Sequence, residues 1–116
     1  MPDIHISIAT DFSRYPAGRT RKDGKFSAES FREEVLIPAL RQAQEKGGRV
    51  VVLLDGVYGY SSSFLEETFG GIVRRDVFRP AWLRDALVVD ARDPIYESSR
   101  LDAIKYFDEE LDGAYA

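Results

Sequence analysis

The sequence contains no cysteine, which excludes disulfide bonds, thiolate metal sites and a cysteine nucleophile, and fits a cytoplasmic protein. Histidine is almost as scarce. His5 stands alone, so a multi-histidine metal centre or a Ser-His-Asp triad would have to be built around that one side chain. Long apolar runs are missing as well: the longest, Val50 to Leu54, falls far short of the roughly 20 residues that a helix needs to span a bilayer. The N-terminus has no basic segment leading into an apolar one, so neither export nor membrane association is expected. A basic surplus is lacking too. The 16 Lys and Arg residues are outnumbered by 20 Asp and Glu, for a net charge of -4, which argues against general nucleic-acid binding.

What is present is the balance of a single globular domain, with 44% hydrophobic and 31% charged residues over 116 positions. Charge is unevenly placed. Arg14, Arg19, Arg21, Lys22 and Lys25 crowd one early stretch, and Asp108, Glu109, Glu110 and Asp112 crowd the C-terminus. The basic stretch reads either as a solvated loop or as a loop that receives an acidic partner or a phosphate.

Residues 4–9, IHISIA, alternate with the period of a half-buried strand and turn His5 away from the core. Residues 11–25 hold Pro16, Gly18 and Gly24 without apolar periodicity, which predicts a long loop or irregular hairpin. From Ser27 the residues Ala28, Phe31, Val35, Leu36, Ala39, Leu40 and Ala43 recur at helical spacing up to Gly47 and Gly48, with Pro38 expected to kink or split the helix. RVVVLLD at 49–55 reads as a central strand covered on both faces. A helix follows over 61–75, with Leu65, Thr68, Phe69, Ile72 and Val73 on one face. Gly70 and Gly71 inside it signal close backbone approach to the sheet or to a partner. A connection over 78–83 leads to a third strand at 86–90, and residues 97–111 form a last helix with Leu101, Ile104, Phe107 and Leu111 inward. This alternation implies an α/β fold, a small sheet with helices packed against it through crossover connections.

The stretch of interest is the turn between the second strand and its helix, where Ser61, Ser62 and Ser63 stand at the carboxyl edge of the sheet. Ser63 to Glu66 fits a capping box, as do Ser30 to Glu33 and, more loosely, Ser99 to Asp102. Three consecutive serines exceed what a cap requires, and an anion on Ser62 or Ser63 would face the positive end of the helix. Tyr58, Tyr60 and Phe64 either surround the turn with aromatic interaction surface or roof the core. Glu66 and Glu67 are adjacent on the helix and therefore do not converge as an acid/base pair. Asp11 and Asp55 could together hold a metal ion if their strand ends are neighbours, although Asp55 more often bonds to turn amides.

Leu54-Asp55, Gly56-Val57, Tyr58-Gly59-Tyr60 and Ser61-Ser62-Ser63 follow one another in a register that resembles STAS domains, the family of anti-sigma-factor antagonists and sulphate-transporter tails. Gly56 to Gly71, with Phe26 to Glu33 upstream, are more similar still to the STAS-like domains of unknown function. The resemblance implies a cytoplasmic switch in which Ser62 is phosphorylated by a partner, a serine kinase with the histidine-kinase-like ATPase fold, and in which no cofactor takes part. Ser61 and Phe64 depart from the acidic residue and the glycine that flank the phosphoserine position in that family. Two other readings are expected to compete: a phosphorylated metabolite or nucleotide held at the serine turn by Arg14, Arg19 or Arg21, and a homodimer assembled through the Gly70-Gly71 face and the acidic tail.

Overall fold

The computed structural model describes residues 2–114. Three parallel strands lie in the order β1-β2-β3: β1 (Ile4–Ser7), β2 (Val50–Leu53) and β3 (Leu87–Asp90). Ile4 pairs with Val50 and Ser7 with Leu53, and Val50 in turn pairs with Leu87. Parallel neighbours require crossovers, and among the described residues five helical runs accompany the strands. They are α1 (Ile8–Asp11), a run over 28–46, a run over 62–74, α6 (Pro80–Ala86) and α7 (Glu97–Ala114). This is the small α/β sheet with packed helices that the alternating pattern implied.

The two long runs are each interrupted by wider, π-helical turns. The first comprises α2 (Ala28–Phe31), a π segment Arg32–Leu36 and α3 (Ile37–Lys46); the second comprises α4 (Ser62–Leu65), a π segment Glu66–Gly70 and α5 (Gly71–Arg74). Pro38 sits in the first turn of α3, directly after the widened turns. Its ring would press on the Glu34 carbonyl in a regular helix, so the expected split takes the form of a widening. Gly47 closes the run with φ of 77° and donates to the Ala43 carbonyl at 2.8 Å, a left-handed cap that glycine adopts without Cβ strain.

One face of the sheet is packed. Ile6, Val50, Val52, Leu87 and Val89 point into a core shared with Phe31, Leu40, Phe64, Phe69 and Leu111. The other face carries His5, Ser7, Val51, Leu53, Val88 and Asp90, all partly or fully exposed. Coverage of β2 on both faces is thus corrected to coverage on one. Every helix that is long enough to bury a side was spent on the same core.

Four further expectations change. β1 stops at Ser7, whose side chain caps α1 by accepting from the Thr10 amide. Residues 80–86 form α6 where a connection was expected, with Pro80 in the first helical turn. Leu101 is 53% exposed, and Ala103 takes its place on the inner face of α7 beside Phe107 and Leu111. The caps also shift: Ser27, not Ser30, accepts from the Ser30 amide to start α2, and Ser61, not Ser63, accepts from the Phe64 amide to start α4. Ser99 and Asp102 lie inside α7, while Asp93 caps the short 3-10 turn Pro94–Tyr96 ahead of it.

Candidate functional site

The loops that leave the carboxyl ends of the three strands are tied to one another, and this builds the site. Leu54 donates to the Asp90 carbonyl at 3.0 Å, and the Asp55 carboxylate accepts from the amides of Arg92 and Asp93, both at 2.9 Å. Asp11 accepts from the Ser7 amide at 2.8 Å. Each aspartate is thereby committed to backbone donors, and among the described residues no group of three or more His, Asp or Glu side chains is arranged around a metal ion.

Within the turn the three serines are not equivalent. Ser61 Oγ accepts from the Phe64 amide at 3.1 Å and shares a hydrogen bond with Ser63 Oγ at 3.2 Å. Ser62 is exposed at the first helical position and has no side-chain hydrogen bond among the described residues. Its hydroxyl is free, whereas those of its neighbours are engaged.

The aromatic neighbours divide as well. Phe64 is fully buried and belongs to the core, which corrects its assignment to an interaction surface. Tyr60 roofs that core: it donates to the Leu54 carbonyl at 2.7 Å, and burial pushes its hydroxyl far above the ordinary tyrosine range. Only Tyr58 is open to solvent, at 74% exposure. Its ring stacks on that of Tyr15 with centroids 4.7 Å apart and planes 6° from parallel, and its amide donates to the Arg14 carbonyl at 3.0 Å. The long loop therefore lies beside the serine turn, a pairing between residues over 40 positions apart that local patterns cannot reveal.

Of the three arginines expected to hold an anion, two are already neutralised. Arg19 contacts Glu66 at 2.6 Å and Glu67 at 3.5 Å; Arg21 contacts Glu34 at 3.1 Å and Glu29 at 3.7 Å. Arg14 is exposed and has no carboxylate partner among the described residues. Arg21 also borders a cleft of about 570 Å³ with Phe12, Lys25, Phe26 and Ser30, and a smaller groove of about 250 Å³ runs over the open sheet face past His5 and Asp90.

Glu66 and Glu67, expected to diverge, instead share cations. Arg74 bonds Glu66 at 2.6 Å, lies 3.8 Å from Glu67 and reaches Glu110 of α7 at 2.7 Å. Arg32, nearly buried, donates to Glu67 Oε2 at 3.0 Å and to the Glu67 carbonyl at 3.1 Å, a backbone acceptor inside the widened turn. Glu33 bonds Arg32 at 2.9 Å and Arg75 at 3.2 Å. Four arginines and four glutamates thus form one balanced cluster. The bond from Arg74, aided by Arg19, holds the Glu66 carboxyl below the ordinary carboxylate range; burial opposes the charge of Glu33, yet Arg32 and Arg75 lower its pKa as well.

The same cluster explains the glycine pair. A Cβ on Gly70 would come within 2.7 Å of Glu66 Oε2, and one on Gly71 within 2.8 Å of Arg32 Nη1. Both glycines are buried beneath ion pairs, so the close approach is to side chains of the chain itself.

Residues 27–79 match the family model described as a STAS-like domain of unknown function, as the turn and its upstream segment suggested. The matched span contains Arg32, Glu33, Glu66, Glu67 and Gly71, the residues through which the two motif segments meet. No curated protein and no solved structure matches the chain.

Proposed function

We propose that this STAS-like chain is a non-enzymatic regulatory module of the cytoplasm, in which the carboxyl-edge turn engages a protein partner and phosphorylation of Ser62 switches that contact. The kinase class carried over from STAS regulators is a serine kinase of the histidine-kinase-like ATPase fold. One observation supports the assignment above the others: Ser62 alone of the three serines offers an exposed hydroxyl that makes no hydrogen bond among the described residues. A phosphate there adds about -1.5 to -2 charges at neutral pH, next to the positive end of the helical run. A partner face docked on the turn would have to answer that charge with arginine or lysine, or leave.

The acid/base alternative is weakened because both carboxylates are already engaged in ion pairs, Glu66 with Arg74 and Arg19 and Glu67 with Arg32. The metabolite-binding alternative loses two of its three cations to the pairs just described. Phosphosite mapping tests the proposal. Protein isolated from its native host under phosphatase inhibition should carry phosphate on Ser62, whereas phosphate confined to Ser61 or Ser63, or to no serine of the turn, would refute it.

A further inference from the structure

We infer that the docking face beside the serine turn is the Tyr15–Tyr58 stack together with Arg14, and that it receives an acidic protein segment anchored by an aromatic or aliphatic side chain. This rests on the reading of the turn as an interaction site and names its partner's chemistry. Among the described residues, the exposed large apolar side chains are not scattered over the molecule. Tyr15, Phe26, Tyr58, Ile95 and Leu101 all lie in the loops that leave the carboxyl ends of the strands, or in the helix next to them. Tyr96, next to Ile95, donates to the Val57 carbonyl at 2.5 Å and so ties the loop after β3 to the loop after β2.

The stack is organised before any partner arrives. Its rings are 65% and 74% exposed, and the Tyr58 amide bond to the Arg14 carbonyl fixes the two loops together. Rigid, amphipathic tyrosines with little entropy left to lose are favoured anchors at interfaces.

Charge selects the partner. The chain carries a net -4, yet residues 14–25 hold five cations against one carboxylate, Asp23. Asp23 is occupied by the Thr20 and Arg19 amides at 2.9 and 3.0 Å. With Arg19 and Arg21 neutralised internally, Arg14, Lys22 and Lys25 remain without carboxylate partners among the described residues. Arg14 is close enough to oppose the upward push that Tyr58 exerts on the Tyr15 hydroxyl pKa. Arg14 thus puts an unpaired positive charge beside the stack, which attracts carboxylates and rejects cations. It also gives the switch a direction, because phosphate on the adjacent Ser62 would repel the same acidic segment.

Two fluorescein-labelled peptides test this on the unphosphorylated full chain: glutamates flanking a central tryptophan, and the same peptide with lysines for the glutamates. Anisotropy should show saturable binding of the glutamate peptide, at least about tenfold tighter than the lysine peptide, weakened about tenfold by Tyr58→Ala and by Arg14→Gln. Amide signals of residues 14–17 and 58 should move during the titration, and the melting temperatures of the variants should match wild type. Equal affinity for the two peptides, no saturable binding, or shifts confined to Val51 and Val88 on the open sheet face would overturn it. Concentration-dependent shifts of the same amides without peptide would assign the face to a second copy and overturn the acidic partner. The assay contains no phosphate. It can therefore fail while phosphorylation of Ser62 stands, and succeed where that fails.

Discussion

Adjacent residues of the same type do different work in this chain, and the differences are measurable. Ser61→Ala removes the acceptor of the Phe64 amide and should lower stability by about 1 kcal/mol, whereas Ser62→Ala should leave the denaturant midpoint unchanged. Thr68 is wholly buried, and its hydroxyl has no partner among the described residues. Thr68→Val keeps the shape and removes an unsatisfied oxygen, so urea denaturation should show a gain of about 1 kcal/mol. Gly71→Ala should destabilise despite alanine's better helix propensity, because the new methyl displaces Arg32 from Glu67. Gly59→Ala, where a Cβ meets nothing within 4 Å, provides the comparison. At this scale the sequence disclosed that the serine turn caps a helix but not which serine does so. Ser63 to Glu66 fits the capping box, yet Ser61, two residues earlier, is the one that accepts from the Phe64 amide.

Among the elements, the charge cluster joins the long loop, both widened helical segments and α7. Replacing Arg32 by Met would remove the donor that reaches both Glu67 Oε2 and the Glu67 carbonyl, and a loss of about 3 kcal/mol in urea denaturation is expected for breaking a pair this buried. Glu33 and Glu66 have folded-state pKa values below those of the unfolded chain. Their stabilisation is therefore complete above the unfolded carboxylate range, near 4.5, and is lost as pH falls through the lower folded values. Denaturant midpoints taken from pH 7 down to pH 3 should fall with acidification, and Glu66→Gln should flatten that fall. The strands, the loop and the two long helical runs were legible from periodicity and punctuation. The cluster was not, because Arg32 and Glu67 lie 35 positions apart and no local pattern pairs them. Glycine at 70 and 71 was the one trace of it.

At the scale of the molecule, a single apolar cluster takes residues from all three strands and from every helical run. Unfolding should accordingly be one calorimetric transition, with a heat-capacity increment of about 1.5 kcal/mol/K for a chain of this length. Two separated transitions would show that the loop and serine helix form a unit apart from the sheet. The alternation of strands and helices made the α/β architecture legible. The openness of one sheet face was not, because an apolar run such as Val50 to Leu54 reads the same whether one face or both are covered. The functional account rests on the carboxyl edge, and one comparison reaches it directly: quantitative co-purification from the native host with wild type and Ser62→Asp as baits. An ATPase or kinase-like protein retained by wild type and lost from the variant is the expected result. The same proteins retained in equal amounts by both baits would return Ser62 to the role of an ordinary turn residue.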